Sequence, residues 1–115
     1  MQVSIVIPTF NRAILLDRAL RSIFSQTGVS FEILVADDGS TDETRLLIEQ
    51  IARERAEVHY IFQPNRGPSA ARNLGILHAR AKSIAFLDSD DEWLPGKLKA
   101  QLEFFERNPD YLICQ

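Results

Sequence analysis

A single cysteine, Cys114, is the only thiol in this sequence. With no partner in the chain it excludes a disulfide framework and a cysteine-based zinc site, and it fits a reducing, cytoplasmic setting. An excess of positive charge is missing too: 13 Lys and Arg stand against 16 Asp and Glu, giving a net charge of -3. The charges are dispersed rather than gathered into a basic stripe, which speaks against nucleic acid as a partner. No apolar run approaches the ~18 residues of a membrane span. Met1 leads directly into the apolar run from Val3 to Ile7, with no basic segment, signal-length core or small-residue cleavage site. Repeats, low-complexity tracts and linkers are absent as well. What remains is 115 residues, 45% hydrophobic and 25% charged, a balance suited to one domain that buries a single core without staples.

Apolar runs and helical patterns alternate along the chain. Val3 to Ile7 is β-branched and closed by Pro8, as in a strand covered on both faces. Asn11 opens a helical stretch with Leu16, Leu20, Ile23 and Phe24 on one face, ended by Gln26, Thr27 and Gly28. Phe31 to Ala36 predicts a second strand. Ser40 followed by Glu43 has the form of a capping box, predicting a helix from about Thr41 with Leu47, Ile48 and Ile51 inward. Val58 to Phe62 is a third strand. Pro68 takes a first helical position, with Leu74, Leu77 and Ala81 as the buried stripe. Ser83 to Leu87 is a fourth strand, and Pro95 opens a helix that carries Leu98, Leu102 and Phe105 on one side. Asn108, Pro109 and Asp110 stop it, and Tyr111 to Cys114 reads as a fifth strand. The alternation predicts an α/β fold, a mainly parallel sheet with flanking helices, whose ligands bind at the carboxyl ends of the strands. The polar breaks at Pro8 to Asn11, Asp37 to Ser40 and Asp88 to Asp91 all follow strands and are expected to converge on one crevice.

Asp88, Asp90, Asp91 and Glu92 crowd four carboxylates into five positions. Such anions raise one another's pKa unless a cation intervenes, and alternating Asp-x-Asp suits a hard divalent ion, Mg or Mn. The plainer alternative is a solvated turn biasing the start of the next helix. Asp37 and Asp38 at a strand end exceed what a turn requires; one carboxylate has the chemistry to accept from a uracil N–H or a ribose hydroxyl, the other to hold the loop. Arg66 and Arg72 flank a helix entry, a pairing suited to a diphosphate or equally to two surface arginines. Trp93 reads as packing. His59 and His78 lie on separate elements and do not form a transition-metal set.

In order and spacing, Val3 to Arg12, Val35 to Asp42, Asn65 to Gly75 and Phe86 to Asp91 resemble the successive motifs of family 2 glycosyltransferases of the GT-A fold. The resemblance covers nearly the whole chain. It implies a Rossmann-like nucleotide-binding half and a nucleotide-sugar donor, usually a UDP-sugar, whose base lies near Pro8 and Thr9 and meets Asp38. It implies metal contact through Asp90, ribose or metal contact through Asp88, and base or phosphate contacts through Arg66 and Arg72. The reaction implied is an inverting displacement onto a saccharide or lipid-linked acceptor hydroxyl. In the family the general base and acceptor site follow well beyond the Asp-x-Asp element, so residues 1–115 are expected to be a domain truncated at its C-terminal end, with no catalytic base of its own. A non-catalytic nucleotide- and metal-binding module is the rival expectation. A sugar nucleotidyltransferase would need a Gly-rich, Arg-containing loop after the first strand, and a phosphoacceptor receiver domain would need its acid pair there. Neither is present.

Overall fold

The structure, a computed structural model, describes residues 1–107 and 113–114. Strands and helices alternate as β1 (Val3–Thr9), α1 (Ala13–Phe24), β2 (Phe31–Asp37), α2 (Thr44–Glu54), β3 (Val58–Phe62), α3 (Pro68–His78), β4 (Ser83–Phe86), α4 (Lys97–Arg107) and β5 (Ile113–Cys114). Every strand pairing is parallel, and the sheet order is β3-β2-β1-β4-β5. The chain builds outward from β1 to β3, then crosses back to lay β4 on the other side of β1. That reversal opens a crevice at the carboxyl ends of β1 and β4.

Alternation along the strands divides the core. Ile5, Ile7, Ile33 and Val35 face α1, α2 and α4, meeting Leu16, Leu20, Ile23, Ile48, Leu98 and Leu102. α3 covers β1 and β2 on the opposite face. It does so with Ala71 and Gly75, both buried, rather than with leucines. A Cβ at Gly75 would collide with Val6 Cγ1, so the helix lies too close to the sheet for a larger residue. This corrects the expected stripe: Leu77 is 80% exposed, while Leu74 and Ala81 are half-buried.

Three helix starts also differ from expectation. Asn11 adopts a left-handed φ of 50°, and α1 begins at Ala13 instead. The Ser40/Glu43 capping box does not form, because Ser40 Oγ accepts the Asn11 N–H at 2.8 Å. α2 starts at Thr44, whose N–H is taken by Asp42 Oδ1 at 3.0 Å. Of its inward residues, Ile48 is fully buried, and Leu47 and Ile51 are partly so. α4 begins at Lys97, two residues after Pro95, because Gly96 turns the chain at a φ of 82°. The side chain of Phe105, the expected stop at Asn108 to Asp110, and Tyr111 and Leu112 lie outside the described residues. Among the described residues no helix is long and apolar enough to cross a membrane.

At the amino ends of the strands, far from the crevice, sits Glu32, only 1% exposed. Its Oε2 accepts from Ser4 Oγ at 2.6 Å and from the Arg80 N–H at 2.8 Å. The Arg80 guanidinium lies 3.3 Å from Oε1, and the Ala81 N–H closes the set on Ser4 Oγ at 3.0 Å. Burial pushes this carboxyl up. The hydrogen bonds from Ser4 and Arg80, with the Arg80 charge, outweigh that and hold it below its ordinary value.

Candidate functional site

The three polar breaks converge on one cleft of about 660 Å³. Pro8, Thr9, Asp38, Arg72, Asp88 and Asp90 all line it, together with Asn11, Arg12 and the start of α3. Arg66 is not among its lining residues; it enters the architecture through its backbone.

Side chains stitch the loops around the cleft to one another. The left-handed turn at Asn11 is one that asparagine tolerates, and it aims Oδ1 at the N–H groups of Thr41 (2.8 Å) and Asp42 (3.2 Å). Asp42 returns the contact by accepting the Ala13 N–H through Oδ2 at 3.3 Å. Burial pushes the Asp42 carboxyl up, but its hydrogen bonds from Thr44 and Ala13 bring it below the ordinary value.

Asp37 and Asp38 divide two further loops between them. Asp37 Oδ1 accepts the Ser40 N–H at 3.0 Å, and Oδ2 accepts the Tyr60 hydroxyl at 2.5 Å. Burial and that bond raise the Tyr60 phenol well above its ordinary pKa. Asp38, 5% exposed, accepts from Gln63 Nε2 at 2.9 Å, the Arg66 N–H at 2.7 Å and the Gly67 N–H at 2.9 Å. Burial pushes it up, and these three bonds outweigh burial, so its pKa is lowered. Both aspartates are therefore loop anchors, and Asp38 also faces the cleft. An ionised carboxylate has about four lone-pair positions, so one remains for a ligand.

α3 presents its amino end to the same space. Pro68 occupies its first turn, and Gly67 before it, at a φ of 98°, offers no side-chain cap. Unsatisfied N–H groups and the helix dipole make such an end favourable to anions. Thr9, 4% exposed, keeps its hydroxyl without a hydrogen-bond partner among the described residues.

Carboxylate oxygens of Asp88, Asp90 and Asp91 come within 4.8 Å of one another, all on exposed residues. Arginines lie against three of the four acids: Arg72 on Asp88 at 3.1 Å, Arg12 on Asp90 at 3.0 Å and Arg18 on Glu92 at 2.6 Å. These pairs are about half exposed, so each holds weakly. Three neighbouring carboxylates form a hard-oxygen donor set, which fits a hard divalent cation. The sequence placed Asn11 in a polar break expected at the crevice, as the opening of a helix and with no loop-holding role, and gave Arg12 no role beyond its place in the first motif. Both stand in the stretch directly after β1, one of the polar breaks that meet at the cleft.

A glycosyltransferase of Rickettsia felis is 46% identical over 107 residues, 93% of this chain but 18% of that protein. The chain thus spans less than a fifth of that relative's length. Among solved structures, S. aureus TarS 1-349 in complex with UDP-GlcNAc superposes with a TM-score of 0.84 at 30% identity, over 93% of this chain and 32% of that one. The mannosyltransferase PcManGT from Pyrobaculum calidifontis, in complex with GDP-Man and Mn2+, gives 0.75 at 27% identity over 80% of this chain and 28% of that one. The Rossmann-like GT-A fold expected from the motifs is the fold observed. A family model described as glycosyl transferase family 2 matches residues 4–115, and the chain belongs to that family.

Proposed function

We propose that these residues hold the nucleotide-diphosphate sugar donor of a glycosyltransferase, a UDP-sugar, together with a divalent cation. The observation that carries this reading is the convergence of an aspartate-lined pocket, a helix amino end and a three-carboxylate set on one cleft. The base belongs between the Pro8–Thr9 backbone and the free lone pair of Asp38, and the unpartnered Thr9 hydroxyl lies on that wall. The diphosphate belongs at the start of α3 beside Arg72. Asp90 and Asp88 would hold Mg or Mn, which when bound supplies positive charge against the diphosphate leaving group. The complex of PcManGT with GDP-Man and Mn2+ supports a cation in such a site.

The reaction is read as a single inverting displacement. An acceptor hydroxyl attacks the anomeric carbon, its proton passes to a carboxylate base, and the nucleotide diphosphate leaves. Within the described residues the carboxylates lining the cleft are Asp38, Asp88 and Asp90, and each is already engaged by a loop or an arginine. That favours a donor-holding role here, with the base and the acceptor site supplied elsewhere. Residues 1–115 alone are accordingly expected to yield no glycoside when assayed with UDP-sugars and a panel of sugar and lipid acceptors. Robust product would place the base inside this range.

Calorimetric titration tests the donor reading directly. UDP is expected to bind at least about tenfold more tightly with Mn than with chelator, because the diphosphate otherwise meets like charge at the acid loop. Asp90→Asn should remove most of that difference. Equal binding with and without the cation would sink the assignment.

A further inference from the structure

Three polar residues, Arg18, Ser22 and Gln26, follow one another at intervals of four along α1 and just past its end. That spacing puts them on one helix face. Their partners occur in the same order along the segment that follows the acid loop. Arg18 Nε pairs with Glu92 at 2.6 Å, and Ser22 Oγ accepts the Trp93 N–H at 3.0 Å. Gln26 donates from Nε2 to the Leu94 carbonyl at 2.9 Å and accepts the Leu98 N–H at Oε1 at 3.1 Å.

The bonds of Ser22 and Gln26 are built in rather than incidental. Gln26 is 6% exposed, and its amide is further tied to Ser22 O at 3.1 Å. The Leu98 N–H lies in the first turn of α4, where a helix provides no acceptor of its own. Trp93 is itself 5% exposed and part of the core, so the stripe fixes one backbone point beside each anchored side chain. The acid side chains between β4 and this segment are exposed, Asp88 and Asp90 carry weak ion pairs, and the bond from the Asp91 N–H to the Asp88 carbonyl at 3.0 Å ties the loop to itself rather than to the sheet. Their position is therefore set by the two ends of the loop, and the downstream end is held by α1.

We propose that Arg18, Ser22 and Gln26 are positioning residues that register the acid loop, and through it the cation and diphosphate end of the donor site, without touching ligand themselves. The inference rests on the donor reading above for its ligand. It gives a role to a polar stripe on a helix whose other face is core, and it separates the diphosphate end of the cleft from the base end, which Asp38 holds independently.

Two measurements on the whole chain decide it. In amide hydrogen exchange, Ser22→Ala and Gln26→Ala should speed exchange from Asp90 to Trp93 by about tenfold, leaving the Arg66 and Gly67 amides unchanged. In calorimetry, Gln26→Ala should weaken UDP with Mn by about tenfold and uridine by less than about twofold, because only the diphosphate end is displaced. Ser22→Thr, which keeps the hydroxyl, should restore both readouts. If Gln26→Ala does not fold, Ser22→Ala carries the same comparison, since it removes a single acceptor from a helix that stays intact. Unchanged exchange in the loop, or proportional loss of UDP and uridine, overturns the proposal. Absence of cation-dependent UDP binding in the unaltered chain would instead sink the donor reading, and the exchange data would still judge the stripe.

Discussion

Asp38→Ala is expected to lower the melting temperature by ~10 °C and to weaken uridine nucleotides by at least about tenfold. The carboxylate accepts three hydrogen bonds from the segment between Gln63 and Gly67, and bonds to a charged acceptor contribute about 1.5–3 kcal/mol each before water replaces part of them. Gly67 stands directly before α3, so loosening it also moves the amino end of that helix. Asp38→Asn discriminates between charge and shape. Its amide offers one oxygen where Arg66 and Gly67 donate to two, so it should recover less than half of the lost stability. Thermal melts and calorimetry with uridine and UDP check both effects. A fully stable Asp38→Ala that still lost uridine would assign Asp38 to the ligand alone.

Gly75→Ala is expected to be strongly disruptive, because among the glycines an added Cβ meets its nearest neighbour most closely there. Alanine favours a helix interior over glycine by about 1 kcal/mol, yet here its Cβ would overlap Val6 Cγ1 on the central strand. Overpacking of that kind costs about 1–3 kcal/mol when neighbours must shift. The shift has a direction, since α3 must lift from the sheet and carry Arg72 away from Asp88. We expect a net fall in melting temperature of ~10 °C and weaker UDP binding. Val6→Ala combined with Gly75→Ala should recover most of the loss that either causes alone, because the collision is between those two side chains. Additive losses would show that the helix tolerates the methyl and that the damage lies elsewhere.

The parts of this fold legible in the sequence were those set by local periodicity. The β-branched runs at Val3, Phe31 and Val58 and the inward faces of α1 and α2 read directly as apolar stripes. Long-range stereochemistry was not legible. Leu77 carries a helix-period pattern, but the distance between α3 and the sheet, fixed by Gly75 against Val6, decides that it faces outward. Ser40 and Glu43 have the spacing of a capping box, but Asn11, 29 positions earlier, claims the serine. The cleft itself followed from topology, because polar breaks after parallel strands must share one end of the sheet. Which residues press against the acids did not follow, since Arg12, just before α1, and Arg18, within it, stand more than 70 positions earlier in the sequence.

Glu32 also bears on the order in which the chain becomes stable. Its Ser4 partner is made before it, but the Arg80 N–H and guanidinium come 48 positions later. A nascent chain emerging from the ribosome can align β1, β2 and β3 well before then, yet it would enclose a carboxylate lacking its counter-charge. Leaving a buried charge uncompensated costs about 3–5 kcal/mol, a large share of the stability of so small a domain. The early half-sheet is therefore expected to stay reversible until Arg80, on the way to β4, arrives. A chain stopped at His78 is expected to show no cooperative melt by circular dichroism, although it contains three strands and three helices. A sharp transition from that fragment would mean that the early sheet needs nothing from Arg80.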